Sequence, residues 1–80
     1  MKTVRVRYFA ILREERGLAS EQVATEAATA GELYEELRGR HPFSLPAGRL
    51  RVAINGDFTV WRAPPRDGDE LVFMPPIAGG

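Results

Sequence analysis

The residues best suited to chemistry are the last two, Gly79 and Gly80. Neither has a side chain, so neither contributes to a core, and each costs conformational entropy when it is ordered. What they offer is a slim backbone ending in a carboxylate, able to thread a narrow channel and approach another protein's reacting groups closely. A carboxylate is a poor electrophile because its charge is delocalised. To react at its carbon it must first be given a better leaving group, which a partner would have to supply. The chain has no cysteine, which excludes disulfides, thiolate metal sites, iron–sulfur ligation and cysteine nucleophiles. His41 is the only histidine. It stands at an expected helix end, where a cap or a solvated side chain is the ordinary role, with no carboxylate or nucleophile placed to work with it. Pro75 and Pro76 stiffen the approach to the glycines, since each ring fixes φ and neither nitrogen can donate to a sheet ladder. Fully extended, residues 75–80 reach on the order of 20 Å, enough to enter a partner's pocket while the domain stays outside.

A tail of this kind needs a scaffold to hold it out, and 80 residues supply one domain with a single modest core. The expected division is a folded domain over residues 1–74 and an extended tail over 75–80. Lys2 to Phe9 alternates with period two, placing Val4, Val6 and Tyr8 on one face and Arg5, Arg7 and Phe9 on the other, which predicts a strand. Ala10 to Arg16 predicts a short helical turn ended by Gly17. Gln22 to Glu26, centred on Val23, predicts an edge strand. Thr29-Ala30-Gly31-Glu32 is a capping-box sequence. Behind it Ala30, Leu33, Tyr34 and Leu37 form one apolar stripe at helical spacing, with Glu32, Glu35 and Glu36 early and Arg38 and Arg40 late, complementing the helix dipole. Gly39 and Pro42 are expected to end this helix, and residues 41–49 to form a loop.

Asn55-Gly56 between Leu50–Ile54 and Asp57–Trp61 predicts a hairpin with a two-residue type I′ turn. That register pairs Ile54 with Asp57, Val52 with Thr59 and Leu50 with Trp61, and turns Phe58 and Val60 to the opposite face. A three-residue loop would instead pair Ile54 with Phe58 and bury it; the turn chemistry favours the first. Asp67-Gly68 closes the next connection, and Asp69–Met74 is the last strand. The predicted fold class is α+β, a mixed five-stranded sheet with one main helix on one face. One helix cannot cover both faces. Phe9, Phe58, Val60, Val72 and Met74 would then form an uncovered apolar surface rimmed by Arg5 and Arg7, which marks a partner site.

Composition narrows the function classes. A hydrophobic content of 44% with 28% charged residues fits a folded chain, and the formal net charge of zero gives no clustered positive field for nucleic acid. No signal segment or bilayer-spanning apolar run is present, so a cytoplasmic location, with no membrane or nucleic-acid partner, is expected. No metal or bound cofactor is expected either.

The run Asp67-Gly68-Asp69-Glu70-Leu71-Val72-Phe73-Met74-Pro75-Pro76-Ile77-Ala78-Gly79-Gly80, the start Val6-Arg7-Tyr8-Phe9-Ala10-Ile11-Leu12-Arg13-Glu14 with Gly17 following, and the order of elements together resemble the MoaD/ThiS sulfur carriers, on the MoaD branch of molybdopterin synthase small subunits. The resemblance spans the whole chain, and the tail is its most specific part. It implies a ubiquitin-like β-grasp fold. It also implies that the Gly80 carboxylate, preceded by Gly79, is adenylated with ATP by an E1-like adenylyltransferase and converted to a thiocarboxylate with sulfur delivered through a partner. The tail would then enter the synthase large subunit, in a heterotetramer, and donate sulfur to cyclic pyranopterin monophosphate. The chain alone would have no catalytic activity. The positions matching the family's partner surface are Phe9, Arg13, Phe58, Met74 and the tail residues Pro75, Pro76, Ile77 and Ala78. Met74 stands where some relatives carry an aromatic, a mild departure given methionine's adaptability. Rival readings are a carrier for thiamine thiazole or another pathway, a ubiquitin-like protein modifier, and a β-grasp adaptor without acyl chemistry.

Overall fold

The computed structural model describes residues 1–76. In chain order the elements are β1 (Lys2–Tyr8), α1 (Ala10–Arg16), β2 (Ser20–Thr25), α2 (Ala30–Arg40), a 3-10 turn (Ala47–Arg49), β3 (Arg51–Ile54), β4 (Asp57–Thr59) and β5 (Glu70–Met74). The strands form one sheet in the order β2-β1-β5-β3-β4. β1 and β5 run parallel, and the other three pairings are antiparallel. β2 and β4 are the edges, so the strand read as an edge is one. This is the mixed sheet with a single long helix expected of a β-grasp.

α2 forms where its sequence says it should. Thr29 Oγ1 accepts from the Glu32 N–H at 3.1 Å, while Glu32 Oε1 accepts from the Ala28 N–H at 3.2 Å, one residue further back than an ideal capping box. The Ala30 and Gly31 N–H groups donate to the carbonyls of Ala63 and Trp61 at 2.9 and 2.8 Å. The orphan donors of the first turn are thus satisfied, and the segment 61–63 is tied to the helix. The helix runs through Gly39 to Arg40 and stops before Pro42, so of the two residues expected to end it the proline marks the stop. It ends at His41, whose extended backbone lets its N–H close on the Leu37 carbonyl.

The stripe Ala30, Leu33, Tyr34 and Leu37 is fully buried. It packs on Val4, Val6, Tyr8, Val52, Leu71 and Phe73 from the three central strands. Tyr34 meets Phe73 edge-on at 5.0 Å, and Trp61 stacks on Phe73 at 5.8 Å. Phe43, in the segment read only as a loop, is also core and lies 5.5 Å from Tyr8.

The hairpin takes the two-residue register: Ile54 opposes Asp57 and Val52 opposes Thr59. Asn55 and Gly56 both have positive φ, 52° and 89°, as a type I′ turn demands. Asn55 has a second task. Its side chain donates to Asp69 at 2.8 Å and accepts from the Glu70 N–H at 2.9 Å, fastening the turn to the start of β5. β4 stops at Thr59, so the expected Leu50–Trp61 pair does not form. Trp61 instead leaves the ladder to cover Phe73, and Leu50 closes the 3-10 turn. β1 ends at Tyr8 rather than Phe9, because Ala10 adopts φ 51° and turns the chain into α1.

One polar network joins α1 to the sheet. Arg16 donates two bonds to Glu21, both 2.8 Å, and the Tyr8 hydroxyl donates to the same carboxylate at 2.6 Å. The Arg16 hydrogen bonds hold the Glu21 carboxyl below its ordinary range, and burial, reinforced by Glu21, pushes the Tyr8 phenol well up. A carboxyl whose folded pKa is depressed adds stability that is complete above its unfolded pKa and is lost as pH falls through the folded value. Denaturant titrations should therefore show Glu21→Gln less stable than the parent at neutral pH, with the gap closing below the ordinary glutamate range of about 4. A gap unchanged across that range would count against the network.

Candidate functional site

Strand phase divides the sheet into two faces. The face away from α2 carries Arg5 and Arg7 of β1, Glu70, Val72 and Met74 of β5, Arg51 and Ala53 of β3, and Phe58 of β4. Their registers align Arg7, Val72, Ala53 and Phe58 in one row and Met74 with Arg51 in the next. Phe58 and Val60 are 54% and 55% exposed. Val72 and Ala53, in the middle of the same face, are nevertheless buried, so the open apolar surface is smaller than alternation alone predicts and lies toward the β4 edge.

Phe9 and Met74 are half-buried. Phe9 continues β1 in extended form, and its carbonyl accepts from the N–H groups of Leu12 and Arg13 at 3.1 and 3.5 Å, so exposed Arg13 is tied to Phe9 through the first turn of α1. Two guanidinium groups lie over rings: Arg7 over Phe9 at 5.4 Å and Arg51 over Phe58 at 4.1 Å. Arg7 also pairs with Glu70 at 3.9 Å. Arg51 is the residue on this face that alternation did not single out, because an outward arginine in a strand reads as an ordinary solvated side chain.

β5 delivers the chain from this face toward its end. It sits in the middle of the sheet, between β1 and β3. Beyond Met74, Pro75 is buried and Pro76 exposed. The expected site residues Ile77, Ala78, Gly79 and Gly80 lie outside the described residues. Lys2, the single lysine of the chain, donates to the carbonyls of Ala27 and Pro65 at 2.7 and 3.3 Å. Among the described residues no group of histidine and acidic side chains is placed to hold a metal ion, and no helix is long and apolar enough to cross a membrane.

A model of the ThiS family matches residues 6–80. The chain belongs to the ThiS family. Within it, this ThiS-family chain is 32% identical to the molybdopterin synthase sulfur carrier subunit of Escherichia coli K12, over 96% of this chain and 99% of that one. Among solved structures it is similar to small archaeal modifier protein 1 of Haloferax volcanii, with a TM-score of 0.82 and 26% identity over 96% of this chain and all of that one. It is also similar to a chain in the complex of subunits 1 and 2 of the molybdopterin-converting factor of Helicobacter pylori, with a TM-score of 0.69 and 25% identity over 98% and 99% of the two chains. The ubiquitin-like β-grasp fold expected from the sequence is the fold these relatives share.

Proposed function

We propose that this chain is the sulfur carrier subunit of a molybdopterin synthase. The observation that carries the reading is the end-to-end match with a sulfur carrier subunit, continuing in the family alignment to Gly80. In this reading an oxygen of the Gly80 carboxylate attacks the α-phosphate of ATP within an E1-like adenylyltransferase, and pyrophosphate leaves. A sulfur nucleophile then adds to the acyl-adenylate, AMP leaves, and the terminus becomes a thiocarboxylate. The thiocarboxylate sulfur, a nucleophile in its turn, attacks a side-chain carbon of cyclic pyranopterin monophosphate in the large subunit and displaces an oxygen, after which water cleaves the acyl–sulfur bond and returns Gly80 to a carboxylate. Acid–base groups and oxyanion donors belong to the partners, and this chain contributes the reacting terminus and its placement. ATP is consumed by the activating enzyme, and the assembled synthase is a heterotetramer.

Intact mass after incubation with ATP, an activating enzyme and a sulfur donor tests the reading. One oxygen exchanged for one sulfur at Gly80 is expected, and no exchange would overturn it. The likeness to a small archaeal modifier protein favours a second reading, attachment of Gly80 to lysines of other proteins. Conjugates of higher mass in cell extract, with no sulfur exchange, would select it.

The outer face serves as the docking surface in this reading. Phe58 is exposed and makes no core contact, so Phe58→Glu should leave the unfolding midpoint within about 0.5 kcal/mol of the parent. Binding to the large subunit should fall by at least about tenfold, since the aromatic contact is lost and a carboxylate would have to be desolvated in its place. Loss of folding in this variant would instead make Phe58 a structural residue.

A further inference from the structure

The Arg51–Phe58 pair carries a further inference, which rests on the docking reading above. The guanidinium of Arg51 lies 4.1 Å above the Phe58 ring, a geometry in which the ring quadrupole attracts the cation. Both residues are exposed. An exposed arginine ordinarily samples many rotamers, and ordering it on binding costs free energy. Contact with the ring restricts this one before any partner arrives, and its donor fork suits a planar acceptor. The two side chains wall a shallow depression that continues to Val60 and Trp61. Across the strand, Arg51 is registered with Met74, the last residue before the proline exit.

Charge and ring contact together distinguish Arg51 from its neighbours. The strand positions of this face hold three arginines, Arg5, Arg7 and Arg51, against one glutamate, Glu70. Glu70 is engaged by Arg7. Among the described residues neither Arg5 nor Arg51 makes an ion pair, and of the two only Arg51 lies over an aromatic ring. An apolar surface closing over Phe58 would strip water from the guanidinium beside it. A charge desolvated without an acceptor is strongly unfavourable, whereas a bidentate carboxylate offsets that cost and adds directionality.

We infer that Arg51 is a specificity-determining residue of the docking face, and that the protein it receives presents an apolar surface with a carboxylate at the rim opposite Arg51. The same residue excludes partners that place a cation or an unrelieved apolar wall there, so it acts by rejection as well as attraction.

The test uses the full chain and the large subunit of molybdopterin synthase from the same organism, titrated at low and high salt. Arg51→Ala should weaken binding about tenfold and Arg51→Glu about a hundredfold, with Arg51→Lys between the parent and Arg51→Ala because charge survives and the fork does not. The parent's affinity should fall more steeply with salt than that of Arg51→Ala. Unfolding midpoints should not move. Binding of Arg51→Glu within about twofold of a parent that does bind would overturn the inference while leaving the proposed function standing. So would an Arg51→Ala complex as salt-sensitive as the parent's, or sedimentation showing that the face is filled by a second copy of this chain. A parent that does not bind the large subunit at all would overturn both.

Discussion

A chain with one alanine added after Gly80 should accept no sulfur and transfer none, while its unfolding midpoint should be unchanged. The added residue moves the terminal carboxylate by roughly 3.3–3.6 Å and puts a methyl group where the backbone had none. Alignment of reacting groups to a near-attack distance supplies a large share of enzymatic acceleration, and a displacement of about 1 Å already costs on the order of a hundredfold. A shift several times larger should take the reaction to background. Stability should be indifferent, because among the described residues the last in the ladder is Met74 and the last buried is Pro75. Intact mass after activation, synthase turnover and a thermal melt on the same sample give the three readouts. Sulfur exchange at the parent's rate in the extended chain would mean that the reacting carbon is not the one at position 80.

Phe73→Ala is the corresponding expectation for the scaffold. The ring is completely inaccessible and sits between Tyr34 and Trp61, in register with Tyr8 on one side and Val52 on the other. Truncating a buried phenylalanine costs roughly 3–5 kcal/mol, through lost transfer free energy and the cavity left behind. A domain this small has total stability near the low end of the usual range of about 5–15 kcal/mol. The variant should therefore be largely or wholly unfolded at 37 °C, visible as a collapse of the urea midpoint. Phe73→Leu, which keeps most of the volume, should retain a cooperative transition. A Phe73→Ala protein with a near-parental midpoint would show that the aromatic cluster does not hold α2 to the sheet.

What could be read from the residues alone divides by range along the chain. The Thr29 cap, the Ala30–Leu37 stripe and the Asn55-Gly56 turn act between residues a few positions apart, where propensity and hydrogen-bond geometry decide the outcome, and each is found where expected. The Gly39 stop failed because a glycine inside an exposed turn costs only about 1 kcal/mol, which the packed helix absorbs. Phe43 was missed because no periodicity marks a single aromatic in a loop, and its burial depends on where the chain returns over Tyr8 and Tyr34. Val72 was read as outward-facing, which its phase confirms, yet neighbours in its row cover it. On the candidate site, alternation placed Phe58 and Met74 on one face, while the Arg51–Phe58 stack needs the diagonal between two strands and is invisible to a one-strand pattern. The pairing of β1 with β5 joins the two ends of the described chain, and no local signal specifies it.

That pairing has a mechanical consequence. A pull on the tail is applied along β5, which is hydrogen-bonded to β1 on one flank and β3 on the other. Ladder bonds lie across the strand direction, steeply in the antiparallel pair and on a slant in the parallel one. Tension along β5 therefore loads both ladders in shear, many bonds at once, instead of peeling them one by one as it would from an edge. The tail is anchored like a rope spliced into the middle of a net. Tension applied from this end would meet both ladders together before the domain lost its shape.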